Sequence, residues 1–568
     1  MKRRRLLWGL LAIAGVLVLI LALAGVFAPE ARREPTVDRP LDREPITDDK
    51  TLGVLRDFQT AGTDWTLKAP EAVVNRDETT SLTNPEVHVV RTLDRGEQRV
   101  VARASRGLLI RQPQEQMNLS GGVKADLSGL YTGTISAPSM AVDLALGTGR
   151  SSDRVEIVLR TDEGSHSLAG TGVDLDPRQR TLRIARDIAA AILAPSRVIS
   201  ARETSGTSRP VPPIEITCAG PAAADGFERA VRLQNAVHFR QGSDELQADR
   251  VNLFFSQEKT AAPRTSALEG RTDIERFEAE GNVRFKTSVA EGGGARLVRT
   301  RLNDQVTLEG APATVRQGGS RITSERMDLD TARTCVDVPG KGALEAVQEG
   351  ENPDRIEVSW GRMMHFDAAT HDVAFRGEVR LKRQGLQIDC QSLNARLDKD
   401  NRRLLSCRAE GDVRISGLAS VEKERPAEPV TARSRELLYD AQKDSLRLLG
   451  DAVARRGAQE VRGNDIEFGL KDAALRVAGA GTLKAQAPEG DNRPALEAGW
   501  SGDMAYSRAD GKARLRRGVS IAQGAQTLKA DDVEVRLTED GRAQGLAATG
   551  NVEIVEEGRL LRAERLTA

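Results

Sequence analysis

The chain has 568 residues, of which 83 are basic and 83 acidic, so its formal net charge at pH 7 is zero. This balance argues against a nucleic-acid binder, because such proteins need an excess of Lys and Arg to displace counterions from phosphates. Aromatic residues make up only 3% of the chain, which favours an elongated, repetitive architecture over a large compact enzyme core.

The first 50 residues predict a membrane anchor followed by a spacer. Residues 1–28 comprise a basic tip at Lys2–Arg5 and an uncharged run at Leu6–Ala28, which as a helix would be about 34 Å long, enough to cross a bilayer. A cleaved signal peptide is the alternative, because residues 22–24 imitate a cleavage site. The basic tip stays in the cytoplasm, so the bulk of the chain is expected in the periplasm of a two-membrane bacterium. Residues 29–50 carry regularly spaced prolines and predict an extended linker.

Beyond residue 50 apolar and polar residues alternate with the period of two that is typical of half-buried β-strands. In residues 117–127 the odd positions are apolar or small and the even positions are mostly polar, which predicts a pair of strands. Only Arg186–Leu193 has the character of a short helix. We therefore predict an all-β body, and on periodicity alone its inward side chains are those of ordinary core-facing strands.

Two short phrases recur along this body. The first places Gly and a variable residue before a Val or Ala, and it occurs at Gly281-Asn282-Val283, Gly377-Glu378-Val379, Gly411-Asp412-Val413, Gly450-Asp451-Ala452 and Gly550-Asn551-Val552. The second phrase usually follows about a dozen residues later and combines a small residue with a polar one, as in Ala248-Asp249 and Ala530-Asp531. A spacing of roughly 30–40 residues indicates stacked repeats. Each Gly allows a strand to turn a corner.

Pro-, Gly- or charge-rich stretches punctuate the repeats. They predict long loops at residues 201–213, 259–271, 338–354, 420–430 and 485–495. The first of these is the best candidate for a domain boundary, because composition and pattern both change there. We predict a first β-domain over residues 51–200, a Pro-rich linker over 201–215, and further β-repeats over 216–420 and 421–568.

Residues 52–195 resemble the LptC family, the membrane-anchored component of the lipopolysaccharide export bridge. The matching phrases are Trp65–Ala69, Val100–Ala104, Asn118–Val123 and Leu168–Asp176. Residues 230–568 are similar to LptA/OstA-type repeats through the two recurring phrases. LptC-like proteins normally end after the first domain, so the longer chain leaves open whether it uses a separate LptA-like bridge or carries its own.

The resemblance implies a β-jellyroll of two antiparallel sheets that open as a V and hold lipid acyl chains. It implies a non-enzymatic conduit, without metal or cofactor, that receives lipopolysaccharide from an inner-membrane ABC transporter. The conduit would deliver lipopolysaccharide to an LptA-like or outer-membrane LptD-like jellyroll, which would dock by adding a strand to an edge of its sheet. The side chains expected to line the groove are Met117, Leu119, Val123, Val155, Ile157, Leu159, Val283, Phe285, Val373, Phe375, Val379, Val533 and Val535.

The sequence contains few residues that suggest other chemistry. His365 and His371 are weak candidates for metal ligands, and a surface turn at Asp367–Thr370 is the alternative. Cys390 and Cys407 are candidates for a disulfide in an oxidising compartment. A second, weaker candidate pair is Cys218 with Cys335.

Two other functions compete with lipid transport. A lipid-free envelope scaffold, anchored in the inner membrane, would use the same strands with a filled interior. A periplasmic hydrolase would need a catalytic cluster that the sequence does not show. The chain also lacks the phosphate-binding loop signature, so an export machine containing it would rely on a partner for ATP hydrolysis.

Overall fold

The computed structural model describes residues 51–192, 213–255 and 274–567, apart from short breaks at 94–95, 113–114, 130–131, 145–146, 162–163, 177–178, 180, 226, 288–289, 301–304, 331–334, 349–353, 384, 399–403, 420–427, 470–473, 486–493, 508, 538–542 and 557–558. The predicted anchor and linker (1–50) and the predicted loop at 259–271 lie outside the described residues. No helix among the described residues is long and apolar enough to cross a membrane.

Every regular element in the described part of the chain is a β-strand, and contacts divide the chain into two compact units on either side of Gly310. The first unit contains β1 (Thr51–Ala61), β2 (Trp65–Asn75), β3 (Thr79–Thr83), β4 (Glu86–Leu93), β5 (Gly96–Arg103), β6 (Arg106–Ile110), β7 (Gln116–Gly129), β8 (Thr132–Asp143), β9 (Gly149–Thr161), β10 (Gly164–Asp176), β11 (Thr181–Ile192), β12 (Ile214–Cys218), β13 (Ala222–Asp225), β14 (Ala230–Gln241), β15 (Asp244–Phe255), β16 (Ile274–Lys286) and β17 (Glu291–Thr300). The boundary falls within β18 (Gln305–Gln317).

The second unit is likewise built from strands. They are β19 (Ser320–Asp330), β20 (Cys335–Pro339), β21 (Gly342–Gln348), β22 (Asp354–Trp360), β23 (Met363–Asp367), β24 (Asp372–Arg383), β25 (Leu386–Leu397), β26 (Leu404–Ala419), β27 (Glu428–Asp440), β28 (Ser445–Arg456), β29 (Gln459–Gly469), β30 (Ala474–Ala485), β31 (Leu496–Trp500), β32 (Met504–Ser507), β33 (Lys512–Gln523), β34 (Gln526–Leu537), β35 (Ala543–Glu556) and β36 (Arg559–Thr567). The prediction of an all-β body is confirmed.

Strands pair antiparallel, mostly with their neighbours in sequence. At some positions two short strands together occupy the place of one long strand, as β12 and β13 do between β11 and β14. Two short strands also take the place of one long strand where β22 and β23 both pair with β24, and where β31 and β32 both pair with β33.

The predicted helix at Arg186–Leu193 was wrong, because residues 186–192 belong to β11. Ala190 pairs with Leu168 of β10 on one side and with Ile216 of β12 on the other. Ladder hydrogen bonds on both sides and the burial of Ile188 outweigh the modest helix preference of alanine. Tertiary pairing, which is invisible in the local sequence, decides the conformation here.

Two further sequence predictions need correction. Residues 117–127, expected as a pair of strands, lie in one strand, β7, which bends at Gly121 and Gly122. The predicted loop at 338–354 contains β21, which pairs with β19 and β22. The glycines and charged residues of this segment are accommodated in a strand because β21 is hydrogen-bonded on both sides. The local sequence does not reveal these partners.

The structure does not divide at the predicted linker over residues 201–215. Strand β11, from the predicted first domain, pairs with β12 and β13 beyond that linker. One hydrophobic core also continues from Leu127 to Val283. Strand pairing and a shared core therefore join the two sides of the predicted boundary into one unit.

The Gly-x phrases lie at corners, where the strand bends. Each corner has two consecutive residues with positive φ: Gly121-Gly122, Asn235-Ala236, Gly281-Asn282, Gly377-Glu378, Gly411-Asp412, Gly450-Asp451, Arg517-Gly518 and Gly550-Asn551. The ladder register shifts at the same places. At Gly411 φ is +82°, a conformation that an L-residue adopts only with strain, which explains the glycine.

The second phrase of the sequence is the cross-strand partner of the first. The residue after each corner is at most 2% exposed, and it faces a small residue on the following strand. The pairs are Val123–Ala137, Val237–Ala248, Val283–Gly294, Val379–Cys390, Val413–Ser434, Ala452–Gly463, Val519–Ala530 and Val552–Ala563. A small partner is required because the inside of a bend is crowded.

Candidate functional site

The corners divide each group of strands into two ladders, which we call walls. In the first unit the first wall comprises residues 230–234, 250–254 and 276–280, and the second comprises 237–241, 244–248 and 283–286. In the second unit the first wall comprises 372–376, 392–396 and 406–410, and the second comprises 379–383, 386–390 and 413–417. Strand β22 extends this second wall by pairing with residues 380–383.

Aromatic rings show that the two walls of each unit face each other. In the first unit Phe277 of the first wall and Phe239 of the second wall meet edge to face, with ring centroids 6.3 Å apart. In the second unit Phe375 of the first wall contacts Trp360 of β22, with centroids 5.3 Å apart and planes at 47°. Inward side chains of opposite walls are therefore in direct contact near the corners.

The predicted groove residues lie on strands of both units, and most are deeply buried. Eleven are at most 8% exposed, namely Met117, Leu119, Val123, Val155, Ile157, Leu159, Val283, Val373, Phe375, Val379 and Val533. Phe285 and Val535 are only half-buried. That these residues bind lipid stays a prediction.

Depth within the interior varies along the strands. Next to the corner in β26, Ala409 and Val413 are fully buried. Towards the hairpin ends some inward residues become accessible: Phe285 and Leu381 are half-buried, and Leu329 of β19 is 36% exposed. Leu253, Phe277 and Val373, also towards hairpin ends, stay buried. The interior is thus closed by its own side chains at the corners and more accessible at some of the hairpin ends.

The outward faces of the strands carry charged side chains in cross-strand pairs. Arg103 of β5 contacts Glu86 of β4 at 3.1 Å and Asp126 of β7 at 2.9 Å. The hydrogen bond from Arg103 holds the pKa of Glu86 below its usual value of 4.5. Exposed pairs of this kind stabilise little individually. They keep the outward faces hydrated, so the inward faces are the candidate surface for an apolar ligand.

The histidines singled out in the sequence occupy a turn and its flanking strands. The turn itself is confirmed, because Asp367 Oδ1 accepts hydrogen bonds from the backbone amides of Ala369 and Thr370. His365 Nδ1 lies 2.6 Å from Asp337 Oδ1. No group of three or more His, Cys, Asp or Glu side chains in the described part of the chain is arranged to hold a metal.

The four cysteines are free thiols in the structure, so neither predicted disulfide is formed there. Cys390 lies in the second wall of its unit and Cys407 in the first wall, where Cys407 pairs with Ala395 rather than with Cys390. Burial raises the pKa of Cys390 to about 11 and that of Cys407 to about 12. Burial also raises the pKa of Cys218, whose thiol donates to the Gln234 carbonyl at 2.8 Å.

We expect Cys390 and Cys407 to react with iodoacetamide at pH 8 at least about tenfold more slowly in the folded protein than in urea, because little thiolate forms. Their folded pKa values exceed the ordinary 9.0, so their contribution to stability is present below pH 9 and is lost as pH rises through 11 to 12. Mass spectrometry of alkylated peptides measures both rates. If the two cysteines of the folded protein react as fast as in urea, their burial is contradicted. If they fail to react in urea until a reductant is added, they form a disulfide.

Sequence reasoning missed the aromatic residues that join the walls. Phe239, Phe277 and Trp360 were not among the predicted groove residues, although each lies on an alternating segment. For Trp360 the signal was the inward series of Ile356 and Val358, which precedes it at a spacing of two. Extending the alternation to every aromatic residue would have found them.

Comparisons with known proteins bear on two stretches of the chain. No curated protein matches it. Among solved structures it is similar to LptH, the LptA homologous periplasmic component of the lipopolysaccharide transport device from Pseudomonas aeruginosa, at 12% identity over 24% of this chain and 88% of that chain. The TM-score of that match is 0.19, which is too low to carry an argument. The family model that matches does not extend to residues 51–200, so the LptC resemblance stays a prediction. Residues 222–334 and 362–473 match the family described as LptA/(LptD N-terminal domain) LPS transport protein.

Proposed function

We propose that this chain is a non-enzymatic conduit for lipopolysaccharide, with the acyl chains held between the two walls. The observation that carries the proposal is the match of residues 222–334 and 362–473 to a lipopolysaccharide transport family. These stretches contain the strands β14–β16 and β24–β26, whose inward faces are apolar and whose outward faces are charged. The match and the apolar interior thus fall on the same strands.

The physical case rests on the cost of exposing hydrocarbon. Each CH₂ group removed from water is worth about 0.8 kcal/mol, so one twelve-carbon chain costs on the order of 10 kcal/mol to expose. Between apolar walls a chain moves from one position to the next without that cost. We propose that the walls form an open V, a β-jellyroll, because the interior is closed at the corners and more accessible at some of the hairpin ends.

We further propose that residues 1–28 anchor the chain in the inner membrane and that the strands lie in the periplasm. The support is the uncharged run that follows Lys2–Arg5. In this position the first unit would receive lipopolysaccharide from an inner-membrane ABC transporter. Cleavage of the N-terminal segment, the alternative, would leave a periplasmic protein without its own anchor.

The edge strands are the proposed docking sites for partners. Among the described residues β36 pairs only with β35, so one side of its ladder offers unpaired backbone groups. Leu560 and Leu561 of β36 are more than half exposed. We propose that an LptA-like or LptD-like jellyroll adds a strand at this edge and thereby continues the apolar interior.

A lipid-free scaffold is the second candidate function. It is favoured by the depth of burial at the corners, where Phe277 and Phe375 are at most 2% exposed and contact the opposite wall. A filled interior is what a structural β-protein requires. The two functions differ in whether the hairpin-end residues contact lipid in cells.

A photo-crosslinking amino acid placed in the full-length chain separates the two functions. At Phe285 and Val535, which are inward and half-buried, we expect ultraviolet light to capture lipopolysaccharide in cells, detected by immunoblotting. The matched controls are Arg284 and Arg536, the exposed outward neighbours, where we expect at least about tenfold less adduct. Equal capture at inward and outward positions, or none at either, would favour the scaffold.

A further inference from the structure

Trp360 carries a polar group that the strands themselves do not use. The side chain is 3% exposed and lies on the inward face at the end of β22, in contact with Phe375 of the opposite wall. Its Nε1 atom is buried and has no hydrogen-bond partner among the residues that the structure describes. A buried N–H without a partner is costly, so native proteins seldom retain one without a reason.

Trp500 supplies an internal comparison, because it occupies an equivalent position. Gly342 is the cross-strand neighbour of Trp360, as Gly481 is of Trp500. A Cβ on either glycine would lie within 2.6 Å of the indole, so both indoles cover a glycine closely. Two residues before each of these glycines stands another glycine, Gly340 or Gly479, with φ of +82°.

The two indoles differ in what their N–H groups bind. Nε1 of Trp500 donates to the carbonyl of Gly479 at 3.1 Å. Trp360 makes no corresponding bond to Gly340. The opposite walls differ as well, since the strand position beside Met364 holds Phe375, whereas that beside Met504 holds Leu515. The indole N–H of Trp500 is therefore satisfied by the backbone of its own unit, whereas that of Trp360 is buried without a partner among the described residues.

We propose that, when an acylated lipid enters between the walls of the second unit and separates the rings of Trp360 and Phe375, the indole N–H of Trp360 donates a hydrogen bond to an ester, amide or hydroxyl oxygen of that lipid. The inference rests on the proposed function and adds the chemical group that is recognised. Apolar walls alone hold hydrocarbon at any position along its length. A single donor in those walls favours the position at which the acyl-linked oxygen reaches it, and so sets the register of the lipid.

Indole proton resonances test the proposal directly. The full-length chain, labelled with ¹⁵N-indole tryptophan and held in nanodiscs of ether-linked phosphatidylcholine, which has no ester carbonyl, has four tryptophans to assign. On addition of lipopolysaccharide we expect the Trp360 Nε1–H signal to move downfield and that of Trp500 to stay. Hexadecane, which has no oxygen, should not move either signal.

Each result of this titration supports or contradicts the proposal. Equal movement with ester-linked phosphatidylcholine supports recognition of an acyl carbonyl common to both lipids, and movement with lipopolysaccharide alone supports an oxygen that phospholipid lacks. No movement with either lipid, or equal movement with hexadecane, overturns it.

Matched Phe variants separate lipid recognition from stability. W360F removes the donor and keeps an aromatic ring, and we expect roughly 3- to 10-fold less lipopolysaccharide to be retained, the range expected for one net hydrogen bond. W500F should retain as much lipopolysaccharide as the wild type but melt at a lower temperature than W360F, because it leaves the Gly479 carbonyl unpaired. Equal retention by W360F and W500F would overturn the inference. If wild-type crosslinking at Phe285 persisted in that case, the proposed function would still stand.

Discussion

Replacing Phe375 with Ala is expected to lower the free energy of unfolding of the second unit by about 3–5 kcal/mol. The ring is fully buried and contacts Trp360 across the interior, so the truncation removes apolar contacts and leaves a cavity between the walls. Urea unfolding followed by tryptophan fluorescence measures the change, because Trp360 reports on the site itself.

The controls for this substitution vary size and depth. F375L keeps much of the volume and should cost less than half as much, and L381A, at a half-buried position of the same unit, should also cost less. A cost below about 1 kcal/mol for F375A would mean that the walls do not depend on this ring for their contact. That result would favour a wider interior than the ring contact indicates.

Deleting Asp412 alone is expected to prevent cooperative folding of the second unit. Side chains alternate between faces, so the loss of one residue turns Val413 and Ile415 outward and Arg414 inward. Exposing two buried aliphatic side chains costs about 1.5–3 kcal/mol each, and burying Arg414 adds to that. The sum is comparable to the whole stability of a typical domain.

Circular dichroism and limited proteolysis measure this outcome. D412N is the matched control: it keeps the chain length and a side chain that tolerates positive φ, and it removes only the exposed ion pairs with Arg414 and Arg433. We expect D412N to fold with a small change in stability. Native-like protease resistance of the deletion variant would show that the corner does not set which side chains face inward.

The alternation of residues predicted which side chains face inward, because that pattern is local. Val283 and Val379 were predicted to face inward from the residues around them, and the bends from the glycines before them. The pairing of Val413 with Ser434 was not predictable, since register between strands depends on residues far apart in the sequence. For the same reason residues 186–192 of β11 were predicted to be helical.

Depth within the interior was the other quantity that alternation did not reveal. Phe285 and Phe375 both lie on inward series, yet one is half-buried and the other fully buried. Distance from the corner does not explain this difference, because Phe277 lies farther from its corner than Phe285 and is only 1% exposed. Phe277 and Phe375 both contact a ring of the opposite wall, and that contact could be found only from the fold.

The corners also have polar links that connect one strand to the next. Asn282 donates to Asp249 at 2.8 Å, and Asn551 donates to Asp531 at 2.9 Å, so these two bends are stabilised by the adjacent strand. Such a strand pair contains the residues that stabilise its own bend. Duplication or loss of a gene segment that encodes one such pair would lengthen or shorten the protein without requiring a new kind of strand contact. Chain length can therefore change easily during the evolution of this architecture.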